Sequence, residues 1–180
     1  MSCGRINLNC RKCRLSESRT RVVPGTGSCH SKIVFIGEAP GRDEDAKGEP
    51  FVGRAGKILD SALEKAGTGR PRVYISNVVK CRPPSNRRPK RNEIDTCRGY
   101  LESELAEIRP AVICVLGLTA AKALFDKRGR MSELIGSSFE ARIAGCVVNV
   151  FVSYHPAACL YRRDKLKDFE KAIEKAVSAV

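Results

Sequence analysis

The chain has 180 residues, enough for one domain with a proper core, and 42% hydrophobic content with interspersed charge places it among globular proteins. Its 33 Lys and Arg against 20 Asp and Glu leave a formal net charge of +13, which makes a polyanion the expected large partner but specifies neither a base sequence nor a reaction. There is no run of 18 apolar residues, and Met1-Ser-Cys-Gly-Arg5 carries no hydrophobic signal core, so the expectation is a cytoplasmic protein with no membrane contact.

Cys10-Arg-Lys-Cys13 comes first, a C-x2-C pair among Arg5, Arg11, Lys12, Arg14, Arg19 and Arg21. Nine cysteines, an odd number, in a reducing compartment argue for a metal centre rather than a disulfide framework, hyperthermophiles being the exception. Residues 22 to 28 read as a turn-rich connector. Ile33-Val-Phe-Ile36, closed by Gly37, suits a buried strand. Gly37, Pro40 and Gly41 then turn the backbone where Glu38 leaves the strand. That puts its carboxylate at the strand's carboxyl end, the edge where open α/β sheets bind ligands. Acidic residues in a Gly/Pro loop are often just solvated turn residues. Gly53-Arg-Ala-Gly56-Lys57 suggests a phosphate loop, but that pattern needs Gly at 51 and Ser or Thr at 58, where the chain has Phe51 and Ile58.

Ala55, Ile58, Leu59, Ala62, Leu63 and Ala66 recur at helical spacing, with Gly67 as the C-terminal cap. Val73 to Asn77 is a second strand. Residues 80 to 91 are too rich in proline and too basic for a core and predict an exposed loop. A helix follows, with Asn92 as its cap, Cys97 in its first turns, an apolar stripe of Ile94, Tyr100, Leu101, Leu105 and Ile108, and Pro110 as its stop. Val112 to Leu116 is a third strand, Thr119 to Phe125 a short helix and Val147 to Ser153 a fourth strand. The terminal helix starts near Asp164 and buries Leu166, Phe169, Ala172, Ile173 and Val177. Strands alternating with helices predict an α/β fold: a three-layer α/β/α domain over residues 1–180 with a central four-stranded parallel sheet.

Glu38 follows the first strand, Asn77 ends the second and His155 follows the fourth, so all three are expected at one edge of that sheet. A polar residue at a strand end is often only a turn former; three at the ligand-binding edge make a candidate site.

Gly37-Glu-Ala-Pro-Gly41, Glu44-Asp45, Gly48 and Pro50-Phe-Val-Gly-Arg-Ala-Gly56 together resemble the first motif of the family 4 (type a) uracil-DNA glycosylases, the iron-sulfur branch of that superfamily. His155-Pro-Ala-Ala-Cys-Leu-Tyr-Arg-Arg163 resembles the second motif, and Asn77-Val-Val-Lys-Cys-Arg-Pro-Pro84 the stretch between. The resemblance implies the strand order 2-1-3-4 and makes Cys10, Cys13, Cys81 and Cys97 the ligands of a 4Fe-4S cluster. Four thiolates would also hold structural zinc, although zinc sites more often draw on two close pairs and only the first pair is close here. Cys3, Cys29, Cys114, Cys146 and Cys159 are then spare, with Cys114 buried in a strand.

A glycosylase must extrude a nucleotide, recognise its base and break the bond to deoxyribose. Phe51 offers a face for the base, a core phenylalanine being the plainer reading, and Gly37 belongs to the same base-binding motif. Asn77 can donate to uracil O4 and accept from N3–H, a pattern that cytosine reverses. Neutral His155 can donate to O2 as the leaving base gains charge, while the Glu38 carboxylate holds water and favours a cationic sugar. By resemblance, Glu44 lies near the C5 edge. Arg82, Arg87, Arg88, Lys90, Arg91, Arg162, Arg163 and the basic amino-terminal segment are expected to neutralise phosphates. Leu160 and Tyr161 are candidate wedges for the gap left by the flipped base, unless buried beneath the terminal helix. Relatives that trap DNA covalently carry a histidine in an inserted basic loop; residues 82 to 91 hold none, so turnover is expected. The expected partner is uracil-containing DNA, single- or double-stranded, bound by a monomer. The competing reading is a catalytically inactive iron-sulfur or zinc nucleic-acid-binding module, against which the presence of Glu38, Asn77 and His155 argues.

Overall fold

The computed structural model describes residues 3–125 and 131–180. After a short helix α1 (Leu15–Ser18) and a two-residue strand β1 (Thr26–Gly27), β2 (Ile33–Gly37) leads through α2 (Arg42–Lys47) to α3 (Arg54–Lys65). Next come β3 (Tyr74–Asn77), α4 (Arg91–Ile108), β4 (Val112–Leu116) and α5 (Leu118–Phe125), then α6 (Met131–Leu134) and β5 (Ser138–Ile143). β6 (Cys146–Ser153), α7 (Pro156–Cys159) and α8 (Arg163–Val177) complete the chain.

Among the described residues the sheet has six strands, in the order β1-β3-β2-β4-β6-β5. Its middle four are parallel and reproduce the expected order 2-1-3-4. The four-stranded expectation is corrected at both edges, where β1 and β5 add antiparallel partners. β1 is too short to give a pattern, and a Cβ at its Gly27 would collide with the Val73 carbonyl. β5 does alternate in burial, and Ala144 and Gly145, both at positive φ, form the tight turn to β6.

Alternation along the central strands separates two cores. Val34, Ile36, Ile113, Val115 and Val150 face α4 residues Leu101, Leu105 and Ile108. Ile33, Phe35, Val112, Cys114 and Leu116 face Leu59 and Leu63 of α3 and Phe169 and Ile173 of α8. Strands covered on both faces lose the polar alternation of a one-sided sheet, which is why they read as continuous apolar runs.

Two further expectations change. Helix α4 starts at Arg91 with Lys90 as its N-cap, displacing Asn92, because the Glu93 carboxylate reaches back to the Lys90 N–H at 2.7 Å. Cys3 and Cys29, expected to be spare, form a disulfide. The amino-terminal arm lies along α4: Gly4 N–H donates to Glu107 (2.7 Å), Arg5 N–H to Ser103 (3.0 Å), and Cys3 N–H to the Tyr74 hydroxyl (3.1 Å). No helix among the described residues is long and apolar enough to cross a membrane.

Candidate active site

The carboxyl ends of β2 and β3 and the turn after β6 open into one cleft of about 330 Å3, lined among others by Glu38, Glu44, Phe51, Asn77, Asn86 and His155. The chain beyond β3 is pinned to that beyond β2: Val78 N–H donates to the Gly37 carbonyl (2.9 Å) and Val79 N–H to that of Glu38 (3.2 Å). Glu38 and Asn77, 39 positions apart in the sequence, are thereby held side by side.

Asn77 is 2% exposed, and its amide oxygen is buried without a hydrogen-bond partner among the described residues. Such an atom normally costs about 1–3 kcal/mol, so its survival on a cleft wall points to a ligand donor that completes it. The space around it is tight: a Cβ on Gly37 would lie 2.5 Å from both that oxygen and the Phe51 ring. Gly37 therefore lets the amide and the aromatic face approach one another. Phe51 itself holds φ 55°, a left-handed conformation unusual for a bulky residue. Arg70 clamps it, donating to the carbonyls of Phe51 and of Pro50 (3.1 Å) while Asp60 holds the guanidinium at 2.6 Å. Sequence reasoning passed over Arg70, which lies in the connector after α3 and has no motif of its own.

His155 caps α7, its Nδ1 accepting from Ala157 N–H at 3.2 Å, so a neutral ring carries its proton on Nε2. The ring is partly open to the cleft but otherwise surrounded by protein, and that desolvation pushes its pKa down to about 4 against the opposing pull of Glu44. It is therefore a neutral donor at pH 7. Its ring centroid stands 5.8 Å from that of Phe51. Gly117, at φ 99°, lets the end of β4 pass beside His155, where a Cβ would come within 3.1 Å of the histidine Cβ. The Glu38 carboxylate lines the cleft and makes no hydrogen bond or ion pair among the described residues. Glu44 also lines it, but its oxygens accept from Gly41 N–H (3.0 Å), Val52 N–H (3.0 Å) and Gly53 N–H (2.9 Å), tying α2 to the turn that carries Phe51.

Cys10, Cys13, Cys81 and Cys97 line one small cavity with Lys12, Lys80 and Tyr100, so the structure brings together all four residues singled out as ligands. Burial first, and then the neighbouring thiols, push the Cys81 thiol up to about 12 against the pull of Arg19. The Tyr100 hydroxyl faces the Cys10 thiol without a hydrogen bond of ordinary geometry, and one Arg19 nitrogen is buried without a partner among the described residues. Donors left over beside four thiols suit a group with sulfur acceptors of its own. Among the described residues, the sets of three or more potential ligands within 4.8 Å of one another do not include these cysteines. A tetrahedral zinc site, at about 2.3 Å per Zn–S bond, would bring its sulfurs closer than that.

The expected phosphate contacts fare unequally. Arg88, Lys90 and Arg163 are exposed. Arg82 is held by Asn86 (2.7 Å), which lines the cleft from a left-handed turn. Arg87 lines the cleft as well, but Glu93 grips it through two bonds of 2.8 and 2.6 Å, Arg91 pairs with Asp95 and Arg162 with Asp164. Tyr161 is 80% exposed, whereas Leu160 is half-buried behind α7. Arg54 braces Tyr161, donating to its hydroxyl at 2.6 Å, and with Arg42 and Arg82 borders a groove that shares Glu44, Ala55 and Asn86 with the cleft. Arg42 and Arg54 are cations that the sequence reading missed.

A family model described as the uracil DNA glycosylase superfamily matches residues 24–177. Three similar proteins are each named Type-4 uracil-DNA glycosylase. The one from Archaeoglobus fulgidus is 46% identical over 172 residues, spanning 93% of this chain and 86% of its own. That from Pyrobaculum aerophilum is 44% identical over 167 residues (91% and 85%), and that from Sulfurisphaera tokodaii 41% over 180 residues (95% and 82%).

Proposed function

The chain belongs to the uracil-DNA glycosylase superfamily, and from that premise we propose that it removes uracil from DNA by hydrolysing the N-glycosidic bond inside the cleft. The observation that carries the site assignment is the buried, unpartnered amide oxygen of Asn77 between Gly37 and Phe51. Uracil N3–H supplies the missing donor, and the Asn77 NH2 group donates to O4. Cytosine presents an acceptor at N3 and a donor at the neighbouring amine, leaving both groups of Asn77 unmatched.

The reaction separates charge. The C1′–N1 bond breaks with its electron pair going to the base, and a water oxygen bonds to C1′. His155 Nε2–H stabilises the charge that grows on O2, and no proton transfer from it is required. Glu38 orients the water, accepts its proton and offsets the positive charge on the sugar. Glu44 acts by holding the turn of Phe51 and by bordering the C5 edge. In this reading Tyr161, with Leu160 behind it, fills the vacated stack, and Arg82, Arg87, Arg88, Lys90, Arg91, Arg162 and Arg163 face the phosphates.

Cys10, Cys13, Cys81 and Cys97 would hold a 4Fe-4S cluster, which supplies cross-linking of the amino-terminal arm to the basic loop and α4. Hydrolysis transfers no electrons, so the cluster has no chemical part in it. The protein acts as a monomer in the cytoplasm on single- or double-stranded DNA. Incubation with an oligonucleotide carrying one uracil, followed by alkali, tests the activity. Strand breaks at the uracil position are expected, and none from either U:G or single-stranded substrate would refute it.

A further inference from the structure

Lys80 and Glu104 form an ion pair at 2.6 Å with side chains only 1% and 0% exposed. Replacing such a pair by apolar residues of similar volume is often neutral or stabilising, so stability is a weak reason for its presence. Its partners are more informative. The Lys80 ammonium donates to Glu104 Oε2 (2.6 Å), Ser76 Oγ (2.6 Å) and the Asn77 carbonyl (2.9 Å), which uses all three of its hydrogens. Ser76 Oγ in turn donates to Glu104 Oε2 (2.7 Å), and Glu104 Oε1 accepts from Gly25 N–H (2.9 Å). A fully satisfied ammonium outside the cleft lining is no nucleophile for the sugar, so a lyase role for Lys80 is set aside.

Segment 76–80 therefore folds around this ammonium, with two distinct outlets. On one side the Asn77 amide enters the cleft, and nothing polar among the described residues fixes its oxygen. On the other, the Lys80 backbone N–H donates to Cys97 Sγ at 3.3 Å, and the Lys80 carbonyl accepts from Val23 N–H at 2.7 Å. With its amide oxygen unanchored, the direction of the Asn77 side chain depends on its peptide plane, whose carbonyl the ammonium holds. We propose that Lys80 and Glu104 are positioning residues for base recognition: they set the direction of the Asn77 amide and tie it to the four-thiol site. This rests on the reading of Asn77 as the group that recognises uracil.

The test is a coupling measurement. In Lys80→Met/Glu104→Leu, both charges leave together and volume is nearly kept. Excision is expected to slow, and inhibition by free uracil to weaken, by about 10- to 100-fold, the scale of an ångström-level misplacement. Binding to DNA with a tetrahydrofuran abasic analogue, which has no base, is expected to stay within about twofold. The same double change made in Asn77→Ala should alter excision by less than about twofold, because the two act through one group. A full multiplicative loss in that background, or unchanged uracil inhibition in the first, overturns the proposal.

Should the double variant fail to fold, Ser76→Ala removes only the bridging hydroxyl. It is expected to cost about 3- to 10-fold with the same dependence on Asn77, and full activity or a multiplicative loss again overturns the proposal. Excision by the native protein is measured first: without it both readings fall, and with it a failure belongs to the positioning role alone.

Discussion

Arg70 holds the backbone carbonyl of Phe51, and with it the left-handed turn that presents the aromatic ring to the cleft. The α3 glycine Gly56 makes room for this turn, because a Cβ there would collide with the Phe51 carbonyl. Arg70→Gln removes a charged donor worth about 2 kcal/mol to the turn and lets Phe51 relax towards ordinary backbone angles. Single-turnover excision is expected to fall by about tenfold, with affinity for abasic-site DNA unchanged. An equal loss of DNA affinity would place the effect elsewhere.

Glu38 and His155 act on opposite ends of the breaking bond, so their variants separate by leaving group. Glu38→Ala is expected to slow excision by about 10²- to 10⁴-fold and His155→Ala by about 10²- to 10³-fold. With 5-fluorouracil, whose departing anion is more stable, His155→Ala should recover in part and Glu38→Ala hardly at all. Equal recovery would show the two roles to be wrongly divided.

The neutral state of His155 gives a pH signature. An unfolded histidine takes up its proton near 6.5, whereas burial delays this to about 4 in the folded chain. Between those values the unfolded state binds more protons. The contribution of His155 to stability is thus complete above pH 6.5 and is lost as pH falls towards 4. The melting temperature of the native protein should drop more steeply across that window than that of His155→Gln. A ring titration by NMR with its midpoint near 6.5 would contradict the burial argument.

Cys81→Ala opens one corner of the four-thiol cavity. It is expected to lower the melting temperature by on the order of 10 °C, remove broad absorbance near 400 nm, and weaken DNA binding, with excision falling as a consequence. A well-folded, DNA-binding Cys81→Ala protein with no excision would assign the cluster a direct part in the chemistry.

The central strands were legible because burial on both faces removes polar residues from them, and Glu38, Asn77 and His155 could be placed because each ends or follows such a strand. What escaped was set by partners distant in the chain. Arg70 matters through two carbonyls some twenty positions earlier, and Arg54 through Tyr161 on another element. Lys80 read as part of a basic loop, since nothing local announces that Glu104 will meet it in the interior. β5 is a different case: its alternation and the Ala144-Gly145 turn were available in the sequence.

The Cys3–Cys29 disulfide closes a covalent ring, and Cys10 and Cys13 lie inside it. When the four-thiol site is emptied, those two thiols cannot drift far from Cys81 and Cys97, because both ends of their segment stay fastened to the body. Reloading is then a local search at high effective concentration rather than the refolding of a free terminus. Reducing that one bond should slow recovery of the emptied site and leave the loaded protein's excision rate as it was.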